Sequence, residues 1–263
     1  MNQYYFFLDF MLNEFLSVGK EAILKAGAIL LKYKDLRDYE VKSDMTPVSI
    51  ADKESEKIIV STIREKFSDH SFYGEEDSIN RKVNEYTWSI DPIDGTKYFL
   101  KGIPLFGIQL ALFKDSVPIL GLVYMPIQDK LYSAAKGMGA FLNDSRISVS
   151  KIESLKEAYI TYGGLLTWHN SNRFDKFMEV HYEAYFSAGF RDTYGYNLVS
   201  EGMFDAMLEN KTNIWDFAAS AVIIEEAGGK VTDNNGQPIK FDTKCVIASN
   251  GKIHEELVQI LKD

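Results

Sequence analysis

The sequence predicts a mixed α and β fold in two closely packed halves that divide near residue 150. Three observations predict it. Two stretches near the N-terminus carry apolar residues at helical spacing. A series of strand-length apolar runs, separated by turn residues, follows them. Beyond residue 150, strand-like and helix-like segments alternate to the end of the chain.

The elements are justified in order. From about Phe10 to Tyr33, Leu12, Phe15, Leu16, Ile23, Leu24, Ala28 and Leu31 recur at the spacing of one helical face. "DLRDYEVKSDMTP" is polar and ends at Pro47, which predicts a loop or a short irregular strand. Ile50 to Phe67 predicts a second helix with Ile58, Ile59, Ile63 and Phe67 on one side. "SFY" then reads as a short strand leading into the acidic turn "GEED", Gly74 to Asp77. "TWSI" is a strand that runs into "DPIDGT". "LFGIQLALF", "PILGLVYMP" and "KLYSAAKG" follow as strands, with a hairpin at "FKDSVPILG". "GMGAFLN" is glycine-rich but too irregular for a dinucleotide fingerprint. In the second half, "EAYITYGG" predicts a strand and "SNRFDKFMEVHY" a helix. "YGYNLVSEGMFDAML" reads as helix, turn and strand, and "WDFAASAVIIEEAGG" as a helix stopped by two glycines. "KCVIAS" is a strand and "HEELVQILK" a closing helix; there is no internal repeat.

Composition narrows the function. The 263 residues are 46% apolar and 25% charged, as in an ordinary globular protein. A net charge of -9 argues against a broad nucleic-acid surface, which would be basic. Cys245 is the sole cysteine, so no internal disulfide forms. The aromatic start "MNQYYFFLDFML" lacks a basic region and carries Asp9, which is unlike a signal peptide. With no long charge-free apolar run, the expectation is a cytoplasmic protein without a membrane segment. His70, His169, His181 and His254 lack paired spacing, so a zinc centre is not expected.

The acids carry the chemistry. Asp91 and Asp94 stand three apart at the end of a strand, and a Pro-Ile turn between them would swing both carboxylates to one side. Carboxylates that close repel unless a cation lies between them or one is protonated. Their ordinary role would be an Asx turn, with Asp94 capping a short helix at Gly95-Thr96. Gly95 allows close backbone approach, and amides at a helix start favour an anion. Acids for cations beside amides for an anion suit metal-assisted phosphoryl chemistry. Glu75 in "GEED" is either a solvated turn residue or a neighbour of Asp91 at the same sheet edge. Asp216 in "WDFAAS" is placed to cap an Ala-rich helix, and a carboxylate has a second oxygen to offer elsewhere. Asp52 sits where an acid favours a first helical turn.

An acidic turn, then "DPIDGT", then "WDFAA" before a helix ending "EAGG" resembles the inositol monophosphatase family over nearly the whole chain. The resemblance implies a layered α-β-α-β-α sandwich and Mg²⁺-dependent hydrolysis of a phosphate monoester, with Mn²⁺ as an alternative ion. It implies metal ligands at Glu75, Asp91, the carbonyl of Ile93, Asp94 and Asp216. Thr96 and Asp52 match the pair that positions and activates the attacking water, in concert with Glu75. The amides of Gly95 and Thr96 match the phosphate cradle, and Glu209 matches a contact to substrate hydroxyls. Residues 1–150 would then carry most metal ligands, and 151–263 Asp216 and the substrate side. Family members are commonly dimers, so a homodimer acting on a small phosphorylated metabolite is expected.

The substrate is less determined. Inositol enzymes usually follow D-G-T with Thr or Ser and Asn; here Lys97-Tyr98-Phe99 follows. "DGTKYFLKGIPLFG" and "RDTYGYNLVSEG" resemble the histidinol-phosphatase branch, where Asp192 would face a cationic amine. Lys97 and Asp192 also have ordinary roles, as a solvated helix residue and a helix cap. Two other readings stand beside histidinol phosphate or inositol 1-phosphate hydrolysis. One is a 3′(2′),5′-bisphosphate nucleotidase, since D-G-T-K occurs there too. The other is a non-catalytic relative that binds a phosphorylated ligand, against which the intact acid set speaks.

Overall fold

A computed structural model describes residues 3–35, 38–41, 47–76 and 83–263. The chain begins with helix α1 (Gln3–Lys32), a small ribbon of β1 (Glu40–Val41) and β2 (Pro47–Val48), and helix α2 (Ile50–Arg64). Strands β3 (Ser71–Gly74) and β4 (Tyr86–Asp94) lead to the short helix α3 (Thr96–Lys101). Then come β5 (Gly107–Lys114), β6 (Val117–Met125), β7 (Lys130–Ala135), β8 (Gly139–Leu142) and β9 (Ser145–Arg146). The second half holds β10 (Tyr159–Tyr162), α4 (Leu165–His169), α5 (Phe174–Glu183), β11 (Phe186–Ala188), α6 (Asp192–Ser200) and β12 (Ala206–Asn210). It closes with α7 (Ile214–Glu226), β13 (Lys230–Asp233), β14 (Cys245–Ser249) and α8 (His254–Leu261).

Strands β3 to β9 form one sheet in chain order, and β11-β10-β12-β14-β13 form a second. Three buried apolar clusters show how the layers stack. The first joins α1 and α2 to one face of the first sheet through Phe15, Ile23, Ile59, Trp88 and Leu122. The second lies between the sheets and encloses α6 and α7, with Phe113, Tyr196, Phe217 and Val246 at its centre. The third packs α5 and α8 on the outer face of the second sheet through Trp168, Phe177, Ile247 and Leu257. The result is an α-β-α-β-α sandwich held by these three apolar clusters. The middle layer is in close contact with the first sheet. A Cβ on Gly121 of β6 would lie 2.2 Å from the carbonyl of Ala219 in α7, so only glycine admits the helix at that distance.

Two expectations change in the helices. The buried face of α1 is Leu12, Phe15, Val18, Ala22, Ile23, Ala26 and Leu30, whereas Leu24 is 43% and Leu31 39% exposed, and Ala28 also faces outward. The large apolar residues misled: small residues mark the face where the helix meets Leu122 and Tyr124 of β6, at Gly19 and Gly27. Helix α2 ends at Arg64, so Phe67 packs from the following turn. In the connection before it, "DLRDYEVKSDMTP", the described part includes the short ribbon strands, and residues 36–37 and 42–46 lie outside the described residues, as does Asp77.

The histidines that are buried are structural. Trp88 Nε1 donates to His70 Nδ1 at 3.0 Å, and the ring stacks between Phe67 and Tyr86. His254 is fully buried between the hydroxyls of Thr232 and Ser249, at 2.9 and 2.8 Å. The glycine-rich "GMGAFLN" forms a hairpin start. Its amides at Gly137 and Gly139 donate to the Glu226 carboxylate at 2.8 and 2.7 Å, so the chain supplies its own anion there. Among the described residues no helix is long and apolar enough to cross a membrane.

Candidate active site

Strand β4 does not stop at Ile90 but runs on to Asp94, and the motif is a β-bulge, not a turn. Asp91 pairs with Gln109 of β5, and Asp94 pairs with Gly107. Three steps on β4 thus match two on β5, and the extra residue lies at Pro92-Ile93. Alternation alone would place residues three apart on opposite faces. The bulge absorbs one step and brings both carboxylates to the same cavity. Helix α2 braces it, with Ser55 Oγ donating to the Pro92 carbonyl at 3.3 Å.

Each acid of the cluster is anchored through one oxygen. Asp91 Oδ1 accepts from the Ile93 amide at 3.0 Å, an Asx-type bond. Asp94 Oδ2 accepts from Gln109 Nε2 and the Thr193 amide, both at 2.6 Å, and from the Thr193 hydroxyl. Asp94 therefore does not cap α3; Gly95, at φ 91°, holds the N-cap position. Asp216 is likewise not the N-cap of α7 but its third residue. Asn213 caps the helix, and Asp216 Oδ2 closes a capping box by accepting from the Asn213 amide at 2.8 Å and from Thr212 Oγ at 2.9 Å. The helix ends as the two glycines predict. Gly228 donates to Glu225 at 3.0 Å and Gly229 to Ile224 at 2.8 Å, a Schellman closure.

A cavity of about 560 Å³ is lined by Glu75, Asp91, Asp94, Glu209 and Asp216 together. Its electrostatics are strained. Burial first, then the charges of Glu75, Asp94, Asp216 and Asp52, hold the Asp91 carboxyl well above the usual carboxylate range. Burial also raises Asp94, with Asp192 and Asp216 adding to it, against the bonds from Thr193 and Gln109. Asp216 is pushed up to about 7, chiefly by burial, against the Asn213 amide that lowers it. Glu209 is pushed up to about 8 by burial and by Asp192. A cation among these oxygens would relieve that cost directly.

The set fits an oxygen-liganded divalent ion in chemistry. It provides carboxylates from three elements, with Asp91, Asp94 and Asp216 each positioned by a hydrogen bond to one oxygen. Among the described residues, no three such side chains converge closely enough to chelate an ion as they stand. Binding one requires the carboxylates to draw together; Glu75 is half-buried in the turn after β3. That turn is held by the Glu75 amide on Ile90 O at 3.1 Å and the Glu76 amide on Glu56 Oε2 at 3.0 Å.

The remaining residues divide. Thr96 Oγ donates to the Ile93 carbonyl at 2.9 Å, and Thr96, Ile93, Gly95 and the exposed Lys97 all line the cavity. Asp52 does not line it. It is fully buried in α2, where Oδ2 accepts from the Ser49 amide and hydroxyl at 2.7 Å, near enough to act on Asp91's charge. Glu209 accepts from Tyr196 OH at 3.0 Å. Asp192, at φ 58°, opens α6 but its side chain makes no cap; Arg191 Nε lies 3.1 Å from both of its oxygens.

Sequence reasoning missed Gln109, Thr193 and Arg191. Gln109 is the most informative. Its Nε2 donates to Asp94 Oδ2 and to the carbonyl of Asp216, while its Oε1 accepts from Ser220 Oγ at 3.0 Å. One amide thus ties the acid ends of β4 and α7 together. A signal was present: Gln109 is the only polar side chain inside "LFGIQLALF", and a polar group in a buried strand must find partners.

An acid-lined cleft between two sheets, with a strand-end bulge and a capped helix supplying the carboxylates, defines a hydrolase-type oxygen-ligand site. The sequence matches the inositol monophosphatase family over residues 11–263. A fructose-1,6-bisphosphatase/inositol-1-monophosphatase of Aquifex aeolicus is 36% identical over 260 residues, covering 95% of this chain and 96% of that one. A histidinol-phosphatase of Streptomyces coelicolor is 35% identical, covering 84% and 86%. The solved inositol monophosphatase of Anabaena superposes with a TM-score of 0.85 at 32% identity, covering 95% and 96%. The chain belongs to the inositol monophosphatase family, and it is a phosphoric monoester hydrolase.

Proposed function

We propose that the protein hydrolyses a small phosphorylated metabolite, histidinol phosphate or inositol 1-phosphate, in a Mg²⁺-dependent reaction. The observation that carries this reading is that Asp91, Asp94 and Asp216, each anchored through one oxygen, line one cavity. Glu75, Asp91, the Ile93 carbonyl, Asp94 and Asp216 would hold the metal. When bound, Mg²⁺ supplies charge neutralisation on the phosphate and acidifies the attacking water. The Gly95 and Thr96 amides would receive the phosphate and Thr96 with Glu75 would orient and deprotonate the water, while Asp52, buried outside the cavity, would act only through its charge on Asp91. No side-chain nucleophile is needed, since positioning and charge stabilisation carry phosphoryl transfer.

Lys97, Asp192 and Glu209 face the alcohol end of the substrate. The Arg191 guanidinium already meets the Asp192 charge, so an amine-bearing substrate must share that carboxylate with it. Both named relatives support the substrate class, one by inositol monophosphate and one by histidinol phosphate. The reading places the protein in the cytoplasm as a homodimer. Exposed aromatics beside edge strand β11, Tyr159, Tyr185, Phe186 and Phe190, support the dimer.

The test is phosphate release from histidinol phosphate, inositol 1-phosphate, fructose 1,6-bisphosphate and 3′-phosphoadenosine 5′-phosphate, with Mg²⁺ and with chelator. Turnover of one of the first two that chelator abolishes is the expected result. Turnover of every compound unaffected by chelator overturns the metal dependence, and a clear preference for the adenosine compound favours the nucleotidase reading.

A further inference from the structure

Two charges of opposite sign stand side by side in the wall of the acid-lined cavity, at residues consecutive in the chain. Arg191 and Asp192 both line it. Arg191 Nε lies 3.1 Å from each Asp192 oxygen, and the two side chains are only 36% and 15% exposed. An ion pair partly shielded from water is screened less than one on the open surface, so a competing cation must displace a real partner.

The backbone is shaped around this pair. Asp192 sits at φ 58°, a left-handed conformation that aspartate tolerates better than most residues, and the two neighbouring side chains meet there instead of diverging. The turn after β10 carries two glycines, the end of "EAYITYGG". A Cβ on Gly164 would lie 3.5 Å from Arg191 Nη1, and one on Gly163 only 2.4 Å from Glu209 Oε1. The first glycine thus makes room for Glu209, whose Oε2 is held by Tyr196 OH at 3.0 Å. The Asp192 charge also reaches Asp94 and Glu209 and raises both of their carboxyls. Arg191 therefore offsets an acid in the midst of the cluster. Burial raises the Asp192 carboxyl itself, while Arg191 and then Lys97 oppose that rise.

We propose that Arg191 is a specificity-determining residue: by holding Asp192 it denies that carboxylate to a cationic amine, so the preferred substrate is the phosphate ester of an uncharged alcohol. The proposal rests on the phosphatase reading and ranks its two substrates, inositol 1-phosphate above histidinol phosphate. Asp192 alone suits an amine, and Arg191 against it reverses that preference. An ammonium group at Asp192 must displace the guanidinium or sit beside it, and like charges repel strongly in a cavity shielded from water. A hydroxyl meets no such repulsion, and it can accept from the guanidinium's remaining N–H groups.

The experiment measures kcat/KM with Mg²⁺ for histidinol phosphate and for imidazolylpropyl phosphate, the same molecule without its amine, with inositol 1-phosphate as reference. The imidazole is common to the pair, so only the amine differs. The enzymes are wild type, Arg191→Met, and Arg191→Met combined with Asp192→Asn. Methionine keeps much of the arginine stem, and asparagine tolerates the left-handed backbone at 192. Each ratio is taken within one enzyme, so a loss of folded protein cancels. Wild type should favour the amine-free compound. The ratio of histidinol phosphate to its analogue should rise about tenfold in Arg191→Met, the scale of one charge-assisted hydrogen bond, and fall back in the double variant. Three results overturn the role of Arg191 and leave the phosphatase reading standing. These are a ratio that moves less than twofold, a double variant that keeps the gain, and an Arg191→Met enzyme that hydrolyses inositol 1-phosphate but not histidinol phosphate. A wild type that favours histidinol phosphate over its analogue overturns it as well. No Mg²⁺-dependent turnover of any of the three compounds overturns the phosphatase reading, and the proposal falls with it.

Discussion

At the residue scale, Asp94 separates the turn account from the site account. Its Oδ2 takes donors from Gln109 and Thr193, and the residue lines the cavity. Asp94→Asn can keep its carbonyl on those donors and present an NH₂ where a cation would bind. Turnover should fall by a factor on the order of 10² or more, with an unchanged circular dichroism spectrum; retained turnover would reduce Asp94 to a structural acid. Gln109 acts one step further out. Gln109→Leu removes the amide that joins Asp94 to Asp216 and leaves Ser220 Oγ without its acceptor. Mg²⁺ affinity, read by calorimetry, should weaken about 10- to 100-fold. Unaltered affinity would mean the amide only packs. Read alone, Asp91, Asp94 and Asp216 suggested turn and cap roles, and it was the family resemblance that singled them out together; the structure places all three on one cavity. Gln109 and Thr193 were not legible, because their partners are 15 and 99 residues away from them in the chain.

At the element scale, the strands and helices were readable from periodicity, and their ends were less so. The bulge at Pro92-Ile93 was read as a turn because proline seldom sits inside a strand. On α1, Leu12, Phe15 and Ile23 were placed correctly and Leu24, Ala28 and Leu31 were not, because glycine carries no hydrophobic signal although it sets how closely a helix approaches a sheet. The pair β14 and α8 offers a test of burial. His254 is fully buried between Thr232 and Ser249, and burial pulls its imidazole down to about 4. In the unfolded chain it titrates near ~6.5. Above that value the ring is neutral in both states and its placement counts in full. As pH falls from about 6.5 to about 4, the unfolded chain takes up a proton that the folded chain refuses, and stability on the order of 3 kcal/mol is lost. The difference in melting temperature between wild type and His254→Gln should therefore shrink from pH 7 to pH 4. A constant difference would show that the buried ring does not titrate in this range.

At the scale of the whole molecule, the site exists because two sheets sandwich α6 and α7. The first sheet brings Asp91 and Asp94, while the middle layer brings Asp216 and Thr193. The layered order followed from a family resemblance and not from periodicity, which cannot rank the strands of a sheet. The assembly has its own test. Light scattering should give a dimer, and Phe186→Arg on edge strand β11 should give a monomer; a wild-type monomer would contradict the dimer. The central claim is that these acids hold a divalent ion. Anomalous X-ray diffraction from crystals soaked in Mn²⁺ tests it most directly. The account predicts a peak within bonding distance, about 2.0–2.4 Å, of the carboxylate oxygens of Asp91, Asp94 and Asp216, with Glu75 turned toward it. A cavity without a peak, at an ion concentration that supports turnover, would contradict it.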